Sequence, residues 1–365
     1  MDKKVVVQIL RAPIGGIRKH VYDILTTLPQ DAFEHIFITN MDDADFALPP
    51  IPNVTIFSLN IQDQPSPRDL KNLFVIYKYL SGKKIDIVHG HGAKGGLYAR
   101  LVSYFIRAKC IYTPHGGSLH RVHGKLKNFI YDAVEIGLIP FTDTFLFESG
   151  YSRNIFSMNI IDVGGKAIVN YNGIELPKAC SQNHYLPGQT IRMASFGLLR
   201  NLKGHDIAIR ACSLLQKQNI PFTYVVYGKG EDHQILIQLI SDLNLQKQVT
   251  ILDYTNDVPC EMLKYDLILH PSRFESFGYV PVEAMALKIP VVVSAEGGLK
   301  EVVDPKTGFV ASSNQPEEYF EIIFAIYCGV NTLEDKVDEA YRKVVNNFTC
   351  EKMIKKIGEV YHGEN

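Results

Sequence analysis

The chain has 365 residues, 46% of them hydrophobic, and a formal net charge of −1. This length and apolar content suit two domains of ordinary size. The near-neutral charge gives no support to nucleic acid as the main partner. The apolar run near the N-terminus is too short for a signal peptide, and no apolar stretch is long enough to cross a bilayer. The composition therefore predicts a soluble protein.

The six cysteines are scattered along the chain, with no C-x-x-C pair and no spacing typical of a zinc site. This distribution fits reduced thiols better than a disulfide framework, because disulfide scaffolds are short and dense in cysteine. We therefore expect a cytoplasmic protein.

Strand and helix patterns alternate from the N-terminus onward. Helices are predicted just after Gly15-Gly16 and over Asp69–Leu80. The predicted strands of this half are Val5–Leu10, His35–Thr39, Val54–Leu59, Ile85–His89 and one that begins at Ile111. Such alternation predicts an α/β fold with a parallel sheet and right-handed crossovers.

A change of composition to Pro, Ser, Gln, Asn and Gly over residues 176–190 predicts a linker. The alternation then resumes, with predicted strands at Ile191–Gly197, Thr223–Tyr227, Val249–Leu252, Leu267–His270 and Pro290–Ser294. We therefore expect two Rossmann-like domains, 1–175 and 176–348, that face each other across a cleft. Residues 349–365 are expected to form a helix that crosses back to the N-terminal domain.

Two glutamates, Glu275 and Glu283, bracket seven residues just after a predicted strand. Between them lies a loop with Ser276 and Gly278, and a helix is predicted to open near Pro281. A strand, a small-residue loop and a helix N-terminus place backbone N–H groups where an anion can bind. The macrodipole alone favours a glutamate early in a helix, so the spacing by itself is weak. The surrounding segments favour a functional site at these two glutamates.

Several further segments occur in a fixed order. They are Gly15-Gly16, Val88–His91, Tyr112–Gly116, Asn172-Gly-Ile-Glu175, Phe196–Gly204, Tyr227–Gly230, Asp257-Val-Pro259, Gly297-Gly298 and Thr307-Gly308. With the E-x7-E pair, this series resembles the GT4 family of retaining glycosyltransferases over nearly the whole chain. The resemblance implies the GT-B architecture. It also implies transfer of a sugar from a UDP- or GDP-linked donor to a glycan or lipid-linked acceptor, in surface polysaccharide or glycolipid biosynthesis.

The resemblance assigns roles to individual residues. Glu283 would accept hydrogen bonds from the donor ribose and Glu275 from the donor sugar, because an ionised carboxylate only accepts. The positive charge of Lys203 would neutralise the diphosphate as the glycosidic bond breaks. Other donor-binding positions are Asp257 beside the base, Ser276 in the loop, and Gly16, Phe277 and Gly278 on the phosphates. His115 and Glu275 would be the catalytic residues, with His115 near the reacting sugar.

The resemblance implies no cofactor beyond the nucleotide sugar and no bound metal. His89 and His91 have the residue type of metal ligands, but no nearby cysteine or carboxylate completes a set. A glycosidase would use Glu275 and Glu283 as an acid/base pair. The GT-B resemblance argues against this alternative, since it gives both residues binding roles.

One position departs from the family pattern: Leu198 stands where the family has arginine. Arg200 is a candidate replacement, Arg273 is another, and Lys203 alone is the third hypothesis. Because of this departure, an inactive nucleotide-sugar-binding subunit stays open as an alternative function. A nucleotide-sugar 2-epimerase of the same architecture is the other. A nicotinamide-dependent dehydrogenase is disfavoured, since no strand leads into a full G-x-G-x-x-G.

The segment Leu119–Tyr131 mixes basic and apolar residues just after the His115 loop. Such a segment fits either a solvated helix packed on its own domain or a peripheral contact with the inner face of an anionic membrane. Membrane contact would suit a lipid-linked acceptor.

Overall fold

The computed structural model describes residues 3–43, 50–116, 124–178, 180, 185, 187–255, 257–330 and 333–364. The chain divides into two compact units. The first unit comprises Met1–Asn172 and Cys350–Asn365, and the second comprises Gly173–Thr349.

The first unit contains a seven-stranded parallel sheet in the order β3-β2-β1-β4-β5-β6-β7. Its strands are β1 (Lys4–Leu10), β2 (Phe33–Thr39), β3 (Val54–Ser58), β4 (Ile87–His91), β5 (Lys109–Thr113), β6 (Thr144–Phe147) and β7 (Ala167–Val169). The central strand β1 is a largely apolar run and every residue of β4 is buried, as expected of a parallel sheet covered on both faces.

The helices of this unit alternate with the strands. They are α1 (Gly15–Thr27), α2 (Arg68–Leu80), α3 (Gly92–Ile106), α4 (Lys125–Leu138), α5 (Gly150–Asn159) and, from the C-terminus, the last helix, Cys350–His362. That last helix buries its apolar face, including Met353, Ile357 and Tyr361, in a core shared with Val6 and Ile24. The C-terminal residues therefore complete the first unit.

The second unit contains a six-stranded parallel sheet in the order β10-β9-β8-β11-β12-β13. Its strands are β8 (Ile191–Phe196), β9 (Phe222–Tyr227), β10 (Val249–Leu252), β11 (Leu267–His270), β12 (Val291–Ser294) and β13 (Phe309–Ala311). Its helices are α6 (His205–Lys217), α7 (His233–Asp242), α8 (Val258–Met262), α9 (Tyr279–Ala286), α10 (Leu299–Val302), α11 (Pro316–Tyr327) and α12 (Glu334–Asn347), so that the C-terminal helix is α13.

The expected α/β class with parallel sheets is confirmed. Strand β4, however, lies two residues later than the sequence pattern predicts. The carboxylate of Asp86 accepts a hydrogen bond from the Val5 backbone N–H, and the ladder instead continues through Gly90 and His91. Helix α3 then starts at Gly92, directly after β4.

Among the helices of the described ranges, none is both long and apolar enough to cross a membrane.

Candidate active site

The loop that carries Glu275 connects the end of β11 to α9. A close approach of two glycines holds its backbone. The Gly298 N–H donates to the Glu275 carbonyl at 2.9 Å. A Cβ at Gly297, where φ is +61°, would lie 1.9 Å from that same carbonyl oxygen. Only glycine fits there, and the Gly297-Gly298 pair of the sequence motif therefore positions the Glu275 loop.

The Glu275 carboxylate lies between two basic side chains. Lys203 Nζ donates to Glu275 Oε2 at 2.5 Å, and His270 Nε2 lies 3.2 Å from the same oxygen. Burial opposes ionisation of Glu275, but the positive charge of Lys203 and the hydrogen bond from His270 outweigh it and hold the Glu275 pKa well below its usual range. Burial also lowers the pKa of His270. The site therefore presents an ionised glutamate beside a lysine at neutral pH.

Lys203 reaches Glu275 because of the turn that precedes α6. Residues Asn201–Lys203 form a 3-10 turn, and Gly204 follows with φ +65°. A Cβ at Gly204 would lie 2.0 Å from the carbonyl oxygen of Pro271, in the Glu275 loop. Gly204 thus permits the close approach of this turn to the Glu275 loop, and Lys203 contacts Glu275 from the same turn.

Helix α9 begins directly after the Glu275 loop. Its N-cap is Gly278, with φ +104°, and no side chain caps the helix. Ser276, Phe277 and Gly278 are buried at this N-terminus. A helix start without a side-chain cap suits an anion. Glu283 is the fifth residue of α9, because the helix starts two residues before the predicted Pro281, and it is partly buried.

Two of the candidate cations differ sharply in environment. Arg273 donates both arms of its guanidinium to Asp206, at 2.7 Å each, and a further bond to the Asn201 carbonyl. The hypothesis that Arg273 replaces the missing arginine is therefore disfavoured, since its charge is already paired. The Arg200 side chain is 56% exposed, with Glu231 at 4.0 Å. Arg200 thus remains available for another anion.

The remaining donor-binding candidates lie at helix starts. Asp257 is the N-cap of α8, where its exposed side chain accepts from the Cys260 N–H at 3.1 Å. Gly16 is exposed in the first turn of α1, a helix of 13 residues without a side-chain cap. Asp257 therefore has a structural role, whereas Gly16 leaves its backbone accessible.

His115 lies in the first unit, buried, with a left-handed φ of +49°. Its Nδ1 lies 3.1 Å from Glu148 Oε2, and its Nε2 lies 3.2 Å from His91 Nδ1. Burial opposes ionisation of Glu148, but His115 and a hydrogen bond from Asn172 lower its pKa. An ionised carboxylate therefore orients the His115 ring.

Two more buried histidines belong to this network. His20 Nδ1 lies 2.8 Å from Asn172 Oδ1, and burial lowers the His20 pKa to about 3. Burial likewise holds the pKa of His89 well below its usual value. His89 uses both ring nitrogens, at 2.8 Å each, on Tyr361 Oη and Thr113 Oγ1. His89 is therefore not free to bind a metal.

Sequence patterns missed several partners in both units. His270 was visible only as the last residue of a strand, although it lies beside the E-x7-E segment. Asn172 was visible only as the first residue of the Asn172-Gly-Ile-Glu175 segment. Glu148, Gln8 and Tyr361 were not identified as partners, because each contacts its histidine across a large sequence separation.

The two parallel α/β sheets and these glycine-dependent loops have the GT-B architecture. Residues 14–177 match the family described as "Glycosyltransferase Family 4", and residues 180–342 match "Glycosyl transferases group 1". The chain belongs to the GT4 family of glycosyltransferases, as the sequence motifs predicted.

Relatives agree with this membership, and a solved structure agrees with the fold. The chain is 24% identical over 316 residues to the UDP-Gal:alpha-D-GlcNAc-diphosphoundecaprenol alpha-1,3-galactosyltransferase of Escherichia coli, covering 80% of this chain and 79% of the relative. It is 26% identical to the Escherichia coli O-antigen biosynthesis glycosyltransferase WclY, covering 77% and 80%. Its fold is similar to Anabaena Alr3699/HepE in complex with UDP, with a TM-score of 0.78, 20% identity, and coverage of 99% and 100%.

Proposed function

We propose that this glycosyltransferase takes a sugar from a nucleoside diphosphate donor and attaches it, with retention of configuration, to a glycan or lipid-linked acceptor in surface polysaccharide biosynthesis. One observation carries the proposal: an ionised Glu275 lies in direct contact with Lys203, beside the uncapped N-terminus of α9. A cation and a helix start suit a diphosphate, and the carboxylate suits sugar hydroxyls. The names of the relatives support the acceptor class.

The positive charge of Lys203 contributes most while the bond between the sugar and the diphosphate breaks. As the bond between sugar and diphosphate lengthens, negative charge grows on the leaving phosphate, and a fixed cation stabilises that charge more than the ground state. Retention would follow from displacement on one face of the sugar, with the leaving phosphate accepting the acceptor's proton. Neither step needs a metal or another cofactor, and we propose that the reaction proceeds without one.

In the first unit, His115 is the residue that we propose acts in the transfer. Its Nδ1 is engaged by Glu148 and its Nε2 lies 3.2 Å from His91 Nδ1, so a substrate hydroxyl would share Nε2 with His91. Replacing His115 by Ala should lower kcat more than it raises the KM of the donor. Equal kcat in the variant would remove His115 from the catalytic set.

The test begins with binding. A thermal-shift panel of UDP- and GDP-sugars should raise the Tm with one base only, because a specific ligand stabilises the folded state by mass action.

With that donor and a lipid-diphosphate-linked sugar as acceptor, NMR of the early product should show the donor's anomeric configuration, with and without EDTA. Inversion, or dependence on added Mn²⁺ or Mg²⁺, would overturn the mechanism. Conversion of the donor without acceptor would instead indicate an epimerase.

We also propose that helix α4 contacts an anionic membrane surface. The segment 119–123 lies outside the described residues, but α4 begins at Lys125 and exposes Leu126 at 75% and Phe129 at 70%. These apolar residues are not packed on their own unit, which favours the membrane hypothesis over a solvated packed helix. Co-sedimentation with anionic liposomes should fall in a Leu126→Ser/Phe129→Ser variant. No enrichment of the wild type at physiological salt would refute it.

A further inference from the structure

We propose that His20, His91 and His115 form a binding site for one transition-metal ion of the Zn²⁺ type in the first unit. Each of the three offers a ring nitrogen, and these nitrogens all lie within 4.8 Å of one another. All three side chains are buried, with exposures of 3%, 1% and 8%. They come from helix α1, the end of β4 and the loop after β5, so the fold brings them together from distant parts of the sequence.

An oxygen atom orients each ring through its other nitrogen. The three pairs are His20 Nδ1 with Asn172 Oδ1 at 2.8 Å, His91 Nε2 with Gln8 Oε1 at 2.8 Å, and His115 Nδ1 with Glu148 Oε2 at 3.1 Å. These oxygens only accept, so each of these nitrogens carries the hydrogen. The opposite nitrogens therefore present lone pairs. Metal-binding histidines typically donate their other ring N–H to an oxygen acceptor in this way.

The nitrogens that carry lone pairs lack a full set of hydrogen-bond donors, and a metal ion would satisfy them. His91 Nδ1 and His115 Nε2 face each other at 3.2 Å. Two nitrogens bound to one tetrahedral zinc at about 2.0–2.1 Å would be separated by about 3.3 Å. His20 Nε2 is buried and has no hydrogen-bond partner among the described residues. A proton shared by His91 and His115 would satisfy that pair, but would leave His20 Nε2 unsatisfied.

The ligand chemistry selects the ion. Three imidazole nitrogens suit Zn²⁺, Co²⁺, Ni²⁺ or Cu²⁺, whereas Mg²⁺ and Ca²⁺ prefer oxygen ligands. Neutral imidazole is the form that binds a metal ion. Three protein ligands leave a fourth position open on a tetrahedral ion.

A consequence for activity rests on the proposed function. A bound ion would take the lone pair of His115 Nε2, which the proposed transfer uses. Zinc should therefore inhibit transfer, and a chelator should relieve the inhibition. Metal binding itself is measured without any substrate, so it can succeed even if the proposed function fails.

The test uses the full-length chain after treatment with a chelator. Calorimetric titration with ZnCl₂ should give one ion per chain, and X-ray absorption should show nitrogen neighbours at about 2.0–2.1 Å. A sulphur shell at about 2.3 Å would assign the ion to a cysteine such as the exposed Cys260 or Cys328 and overturn the proposal. Absence of stoichiometric binding would also overturn it.

Variants then identify the ligands. His20→Ala and His91→Ala should each weaken zinc binding at least 100-fold, while His233→Ala, at an exposed histidine of the second unit, should bind as the wild type does. Asn172→Ala should weaken binding about 10–100-fold, since it removes only an orienting oxygen. Unchanged affinity in a folded His20→Ala protein would refute the site. If a variant does not fold, the absorption spectrum of the wild type decides.

Discussion

The Nζ atom of Lys203 lies 2.5 Å from Oε2 of Glu275, although sequence motifs assign these residues to different parts of the donor. Both side chains are largely buried, with exposures of 26% and 18%. Removing one partner of such a pair leaves the other charge uncompensated. The two residues therefore act as a unit, and changes at either should affect both donor binding and the integrity of the loop.

The first prediction concerns turnover. Glu275→Gln keeps the size of the side chain but removes the negative charge that Lys203 and the donor sugar both meet. We expect kcat to fall by roughly 10²–10³ through lost electrostatic stabilisation, while the Tm shows whether the protein is folded. Steady-state kinetics at saturating acceptor measure this. A folded variant with the kcat of the wild type would contradict the catalytic assignment of Glu275.

The second prediction concerns pH. The pKa of Glu275 is lower in the folded protein than the value of about 4.3 expected for an unfolded chain. The ion pair therefore stabilises the fold above about pH 4.3, and this contribution disappears as pH falls through the folded pKa. The difference in unfolding free energy between wild type and Glu275→Gln should shrink from pH 6 towards pH 3. Urea denaturation measures this difference. A difference that stays constant from pH 6 to pH 3 would be inconsistent with a depressed pKa of Glu275.

Sequence patterns predicted much of this site, for identifiable physical reasons. The run Leu267–His270, the E-x7-E spacing and the glycines at 297 and 298 are local signals, and all lie together in the second unit. The strands of both sheets were also predicted, except for β6, β7 and β13, whereas helices α5, α11 and α12 were not predicted.

Contacts between side chains that are far apart in the sequence could not be predicted. Arg273 looked like a phosphate ligand because of its position, but Asp206, 67 residues earlier, pairs with it. His91 was considered with His89, and His115 by itself. Only the fold shows that Gln8, Glu148 and Asn172 orient a cluster. Such pairings depend on how strands order themselves in the sheet, and a single sequence does not encode that order locally.

The third prediction concerns donor affinity. Glu283→Ala should weaken binding of the nucleotide sugar by about 1.5–3 kcal/mol, because the ribose hydroxyls lose a charged acceptor. Calorimetric titration with the donor measures the change. Glu317→Ala is a matched control, since Glu317 is an exposed acid in the first turn of another helix, α11. Equal donor affinity in Glu283→Ala and wild type would refute the ribose assignment.

The fourth prediction separates a structural arginine from a functional one. The Arg273 guanidinium is held by Asp206 and by the Asn201 carbonyl, in the turn that positions Lys203. Its loss should therefore lower stability by about 1 kcal/mol, a value reduced by partial exposure of the pair. Denaturation of Arg273→Ala and Asp206→Ala should give similar losses. A large loss in Arg273→Ala alone, confined to donor affinity, would restore a direct role on the phosphates.

The last prediction concerns the arginine that Leu198 replaces. Arg200 and Lys203 lie at the two ends of one short turn, since the Lys203 N–H donates to the Arg200 carbonyl at 2.8 Å. Arg200 is largely exposed and Lys203 is paired with Glu275, so a second cation beside the diphosphate would help as its charge grows. We expect Arg200→Ala to lower kcat/KM, and the double variant with Lys203→Ala to lose more than the sum of the two free-energy changes. Lys217→Ala, at an exposed lysine in the last turn of α6, should have little effect. A kcat/KM near that of the wild type in Arg200→Ala would reject compensation, and would leave Lys203 and the start of α9 to bind the phosphates.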